Sequence, residues 1–240
     1  MNRRHTIICA CTAPFLTATV VFAQSGDPTV FSLPPECTPL RTVQSRDCSV
    51  DHFFTCSTDA AGYQRRATFI EEGLVYIGTI DAETQWIESI RFRANTRETL
   101  VPNPTDPASL SELIATGMDS YDFETVTDTG IVTRFVGDDR FIGETVEIDG
   151  VQLERTAYQI TAFSENGEEL WRSAGNEYVQ VDWRTFLGGT GVTVTSSDEF
   201  EDDQRPVEFI FPGEAGFFST KPKFGCGAML SSYSLFEGDF

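Results

Sequence analysis

Lysine is nearly absent from this chain: two residues, Lys221 and Lys223, among 240. With 17 Lys+Arg against 37 Asp+Glu the formal charge is −20, which excludes a phosphate-binding surface of the kind nucleic acids require. Histidine is as scarce. Beyond His5 there is only His52, so any Ser-His-Asp or Cys-His centre must pass through it, and a multi-histidine zinc or copper site is ruled out. No Cys-x-x-Cys spacing occurs, which argues against a thioredoxin-like centre or a zinc ribbon. Gly-x-Ser-x-Gly, His-Glu-x-x-His and Ser-x-x-Lys motifs are also missing. After residue 23, no run approaches the roughly 18 apolar residues of a spanning helix. No internal repeat is found.

What is present begins with an address. Arg3 and Arg4 precede an uncharged, mostly apolar run from Thr6 to Phe22 that ends at Val21-Phe22-Ala23, the layout of a cleaved secretory signal over residues 1–23. Its removal would leave 15 basic residues against 37 acidic ones. The expected location is periplasmic or secreted, with no integral membrane segment after cleavage. Four cysteines follow: Cys37, Cys48, Cys56 and Cys226. An even number in an exported chain predicts two disulfides, and of the three connectivities the expected one is Cys37 with Cys48 and Cys56 with Cys226.

Residues 24–47 hold Pro28, Pro34, Pro35 and Pro39 and read as an extended lead-in to a single β-rich domain over 48–240. Strand signals then recur: Tyr63–Ile70, Leu74–Ile80, Gln85–Arg93, Tyr121–Thr127, Ile131–Val136, Arg140–Ile148, Val151–Ser164, Glu168–Ala174, Glu177–Trp183 and Val207–Phe211. In the third, Trp86, Ile90 and Phe92 are expected on one face and Ser89, Arg91 and Arg93 on the other. Connections this short make an antiparallel meander. Asp149-Gly150 and Asn166-Gly167 predict tight hairpins, because both dipeptides accept positive φ. One helix is expected from Pro107 to Thr116, with Asp106 as N-cap, Leu110, Leu113 and Ile114 as its apolar stripe and Gly117 ending it. Gly188-Gly189-Thr190-Gly191 lacks the Lys-Ser/Thr of a phosphate loop and reads as a flexible turn.

Several segments are apolar on both faces: Leu74–Ile77, Ile131-Val132 with Phe135-Val136, and Tyr158–Phe163. A ten-residue helix covers about two strands, so the rest must be sheltered by a second layer or by curvature. The fold expected is a mainly β antiparallel meander of about ten strands forming a curved sheet, half-barrel or barrel, with one short helix. In architecture alone this looks like half-barrel lipid carriers or lipocalin-type barrels, but no motif of either carries over. An outer-membrane barrel is disfavoured by the last residues, Phe236-Glu237-Gly238-Asp239-Phe240, which do not alternate as a membrane strand must.

The function expected is a non-catalytic binding module for an apolar small molecule, a lipid or an envelope-protein segment, with no cofactor and no nucleic acid. The alternatives are a carboxylate-dependent secreted hydrolase and a structural envelope protein. No catalytic residue is assigned. His52, alternating with Val50, Phe54 and Cys56, is expected to pack beside a disulfide, and Trp86, Trp171 and Trp183 to pack in the sheet. Asp198, Glu199, Glu201, Asp202 and Asp203 are hard oxygen donors and the weak candidates for Ca²⁺, but without EF-hand spacing they read as a solvated acidic loop.

Overall fold

The computed structural model describes residues 30–227. The signal segment, the first residues of the lead-in and the final aromatic residues Tyr233, Phe236 and Phe240 lie outside the described residues.

Thirteen strands form one antiparallel sheet: β1 (Cys37–Ser45), β2 (Val50–Cys56), β3 (Gln64–Ile70), β4 (Gly73–Ile80), β5 (Trp86–Arg91), β6 (Thr96–Leu100), β7 (Met118–Thr127), β8 (Val132–Ile148), β9 (Val151–Ser164), β10 (Glu169–Gln180), β11 (Thr185–Thr195), β12 (Glu199–Asp203) and β13 (Pro206–Ile210). A single helix, α1 (Leu110–Thr116), sits between β6 and β7. Each strand pairs with its chain neighbour except at the end, where β13 leaves β12 and pairs with β1 instead.

That exception fixes the curvature. Thirteen strands at about 4.8 Å would put the edges of a flat sheet about 58 Å apart. Only Gln204 and Arg205 separate β12 from β13, a reach of about 11 Å at full extension. The sheet therefore rolls until its edges approach without hydrogen-bonding to each other. Gln204 N donates to Gly189 O on β11, while Arg46 N, just past β1, donates to Arg205 O, so the two connecting residues tie both edges. Asp149 in the β8–β9 turn accepts from Phe209 N, further capping β13. At one end Arg184, between β10 and β11, reaches the β4–β5 turn: its Nε donates to Ala82 O at 2.6 Å and its Nη2 to Glu83 at 2.9 Å.

Apolar surface is sheltered on both sides, by different devices. Outside β2–β4, Val50, Phe54, Ala67 and Phe69 are covered by Phe31 and Leu33 from the N-terminal segment and by Phe217 and Phe218 from the C-terminal segment. On the other face of β1 and β2, Val43 and Phe53, together with Phe209, pack against Val151, Leu153, Tyr178 and Leu187. α1 lays Leu110 and Leu113 on Val179, Phe141 and Phe186 and closes one end.

The structure revises several sequence expectations. The disulfides are Cys37–Cys56 and Cys48–Cys226, not Cys37–Cys48 and Cys56–Cys226. The register explains it: Cys37 and Cys56 are direct cross-strand partners of β1 and β2. Residues 37–45, expected in the lead-in, are thus a sheet strand. The helix starts later, because Asp106 is held by a backbone bridge to Asp122 and a bond from Ser120, leaving Ser109 to cap Glu112 N. Gly188, Gly189 and Gly191 lie inside β11 rather than in a flexible turn. The expected breaks at 137–139 and 175–176 fall within continuous strands. In β5 a bulge between the Thr79–Glu88 and Ile80–Trp86 pairs takes Trp86 out of alternation with Ile90; Ser89 is buried, and Phe92, beyond the strand, is exposed.

Candidate functional site

The interior wall of β7–β10 is read directly from register. Phe123 faces Phe135, Tyr121 faces Gly137, and Asp119 faces Asp139 across β7 and β8. Across β8 and β9, Phe135 faces Ala162, Gly137 faces Ile160, and Asp139 faces Tyr158. Across β9 and β10, Ala162 faces Trp171, Tyr158 faces Gly175, and Thr156 faces Glu177. The side chains thus stack in layers above the helix-closed end: an acid layer of Asp119 and Asp139 beside Tyr158, with Glu177 one pair nearer the helix; then Tyr121 over Gly137; then the aromatics Phe123, Phe135 and Trp171.

The glycines are a packing requirement. A Cβ on Gly137 would stand 2.3 Å from Gln159 O and 2.7 Å from the Tyr121 ring, and one on Gly191 2.4 Å from Tyr158 Oη. Each tyrosine lies across a cross-strand glycine, a device that pins register where a side chain is missing. Tyr158 Oη is 3.0 Å from Ser173 Oγ, which in turn accepts from Thr193 at 3.0 Å. Above them Phe123 and Phe135 stack at 5.2 Å, with Trp86 edge-on to both at 5.4 Å and 40% exposed.

The acid layer is electrostatically strained. Two like charges set directly opposite each other repel, and removal from water penalises both. Burial, then Glu177, Asp119 and Asp138, push the Asp139 carboxyl up to about 8. Burial, reinforced by Asp202 and opposed by Arg66, pushes Glu177 up to about 7. Asp119, raised by burial and by Glu112, Asp106 and Glu83, reaches about 6 despite a 2.8 Å bond from Ser109 N to its Oδ2. Burial works against the Arg66 guanidinium, yet Asp51, Tyr76 and Glu177 together hold it above its ordinary value. Arg66 on β3 and Glu177 on β10 are seven strands apart in the sheet, so their interaction crosses the interior. Arg66, Tyr158 and Glu177 keep partial contact with solvent.

Two buried polar atoms here have no hydrogen-bond partner: Asp119 Oδ1 and Thr156 Oγ1, on side chains 4% and 0% exposed. Such atoms cost about 1–3 kcal/mol each if left unsatisfied.

The sequence-predicted residues fall elsewhere. Glu199–Asp203 form edge strand β12, where alternation sends Asp202 inward and Glu199, Glu201 and Asp203 to the other face, while Asp198 lies in the preceding turn. Asp203 is paired with Arg205. The five acids do not converge, and the solvated-loop reading gives way to an edge strand whose charges discourage edge-to-edge pairing. His52 is 0% exposed among Phe31, Phe69 and Phe218, with Phe218 stacked at 4.6 Å. Thr42 Oγ1 accepts from Phe218 N and lies 3.0 Å from His52 Nδ1, while His52 Nε2 is buried without a hydrogen-bond partner. Burial holds the ring down to about 4. Thr42 is also fully buried, so this hydroxyl–imidazole pair cannot meet a substrate. Cys48, Glu71 and Cys226 cluster within 4.8 Å, but the disulfide leaves no thiolate to bind a metal. A concavity of about 550 Å³ lies on the outer face of β8–β11, lined by Val136, Gln159, Thr161, Arg172, Val192 and Val194, and opens to solvent.

Sequence reasoning missed the interior acids, because among 37 carboxylates no local pattern distinguishes them. The one available signal was an aspartate or glutamate on the apolar face of an otherwise regular strand, as Asp119 is beside Tyr121 and Phe123.

The described residues thus form an open, rolled antiparallel sheet stapled by two disulfides, a construction suited to an oxidising compartment. No helix among them is long and apolar enough to cross a membrane. No protein-family model, curated protein or solved structure matches the chain.

Proposed function

We propose that the protein is an exported, non-catalytic binding module, acting in the periplasm or outside the cell, whose rolled sheet receives an apolar ligand such as a lipid or an apolar segment of an envelope protein. The observation that carries this reading is Trp86: a large ring packed edge-on against Phe123 and Phe135 yet 40% exposed. An aromatic layer with one open face is a surface that gains by being covered, at about 25 cal/mol per Å². The secretory pattern of residues 1–23 and the two disulfides support the location. Organic extraction and native mass spectrometry of protein taken from its own compartment test it. A co-purifying apolar species that is lost in Trp86→Ala agrees with the proposal; an empty protein whose tryptophan emission ignores every added lipid contradicts it.

A second reading, carboxylate-dependent hydrolysis, is favoured by one observation: Asp119 and Asp139 face each other with unequal proton affinities, as an acid and its partner carboxylate must. Hydrolysis of a chromogenic glycoside panel that disappears in both Asp119→Asn and Asp139→Asn would support it. Turnover absent in the wild type, or unchanged in the variants, would reject it.

A further inference from the structure

We infer that the ligand of the interior is an amphiphile with a cationic ammonium head, seated in the acid layer beneath the aromatic rings. This rests on the binding-module reading and adds the chemistry of the head group.

Asp119 and Asp139 are directly opposed on β7 and β8, and Glu177 stands two strands from Asp139 on the same wall. Arg66 is the cation that faces Glu177, and Asp51 and Tyr76 share it. Arg41, buried and opposite Phe53, is a second guanidinium on this face, and Asp202 is a further acid beside Glu177, so carboxylates still outnumber guanidiniums, a balance a positive guest would correct.

Hydrogen-bonding capacity gives the second, independent reason. Asp119 Oδ1 and Thr156 Oγ1 are closed from water and accept nothing. Thr156 is the direct cross-strand partner of Glu177, so the orphaned hydroxyl and that carboxylate adjoin. A primary ammonium has three N–H donors and no acceptor, which matches a site made of orphaned acceptors and repelling carboxyls. A bare divalent ion fits less well: no three free His, Cys, Asp or Glu ligand atoms here come within 4.8 Å of one another. The aromatic layer next to the acids supplies apolar contact for the tail and ring faces for a cation on its way in.

Binding must also move protons. Burial raises the proton affinity of both facing acids, so protons retained before a cation arrives are released when a fixed positive charge replaces them as the neutralising partner.

The test compares three eight-carbon probes, octylamine, octanol and octanoate, with the full secreted chain at pH 8, followed by tryptophan emission and calorimetry. Octylamine should bind at least ~10-fold more tightly than octanol, and octanoate least well. Repeating the titration in buffers of different ionisation enthalpy should show net proton release for octylamine alone. In Asp139→Asn and in Glu177→Gln the preference over octanol should fall several-fold while octanol binding stays. Two variants are used because either carboxyl relieves repulsion when neutralised, and circular dichroism confirms that each folds. Equal binding of all three probes overturns the ammonium head and leaves the apolar-ligand reading standing. Failure of every probe to bind overturns both. Calcium binding that displaces octylamine without any tail-length dependence also overturns the inference, by assigning the layer to an ion.

Discussion

The outside of β2–β4 and the inside of β7–β10 are both buried, and they bury ionisable groups in opposite ways. Outside, one imidazole is surrounded by phenylalanine rings, satisfied at Nδ1 by Thr42 and held neutral. Inside, Asp119 and Asp139 face each other with Glu177 two strands from Asp139; Asp119 Oδ1 and Thr156 Oγ1 are buried without a partner, while Asp139 and Glu177 keep partial access to water. The first arrangement leaves Nε2 without a partner but sets no like charges against each other within its aromatic shell, so it reads as stability. The second holds repulsion that a packed core would have removed, and strain of this kind is typical of sites that wait for a partner.

The comparison can be broken from either side. The largest loss should come from the disulfide that anchors the outer cover: Cys48–Cys226 spans 178 residues and Cys37–Cys56 only 19. In the chain-entropy account, replacing both cysteines of the first pair by serine costs about 5 kcal/mol and of the second about 3, read from denaturant midpoints. Phe218→Ala, which empties the ring stacked on His52, should cost about 3–4 kcal/mol in the same assay. Gly137→Ala drives a methyl to within 2.3 Å of Gln159 O and should cost about 1–3 kcal/mol, with a changed tyrosine near-ultraviolet signal.

The inside should respond with the opposite sign. Asp139→Asn removes a carboxyl from a repelling pair and should raise the thermal midpoint by several degrees at pH 9 but little at pH 5. The linkage fixes the direction. Asp119, Asp139 and Glu177 have folded affinities raised to about 6, 8 and 7, so their stabilising protons are fully present below the unfolded carboxylate range and lost as pH rises through 6 to 8. His52 is lowered to about 4, so its contribution is intact above the unfolded value near 6.5 and lost as pH falls towards 4. Asp139→Asn should flatten the alkaline limb alone. The smallest effect belongs to the surface: Lys223→Ala breaks an exposed pair with Glu208 and should change stability by less than about 0.5 kcal/mol.

How much of this was legible in the sequence depended on how local the signal was. Asp149-Gly150 and Asn166-Gly167 sit at hairpin turns with positive φ at Asp149, Gly150 and Gly167, because turn geometry is decided within two residues. The alternation through His52 was equally readable and placed it beside Phe54 and Cys56, within the aromatic cover. The surplus of two-faced strands was a sound reason to expect a curved sheet. What covers the outer face was not legible, since Phe31 and Phe217–Phe218 come from opposite ends of the described chain. The disulfide pairing failed for the same reason: it follows the β1–β2 register, which the prolines of residues 34–39 concealed. Most of the acid layer was invisible because Asp138-Asp139 and Gly175-Asn176-Glu177 resemble turn sequence, and only the strands on either side keep them in the sheet.

The most direct measurement is a carboxyl-detected nuclear magnetic resonance titration of the folded chain, with Asp139 assigned through Asp139→Asn. The account predicts a midpoint near pH 8 for Asp139, moving together with Glu177 near 7. An Asp139 midpoint near 4, with Glu177 titrating independently, would contradict it and leave the interior an ordinary solvated surface.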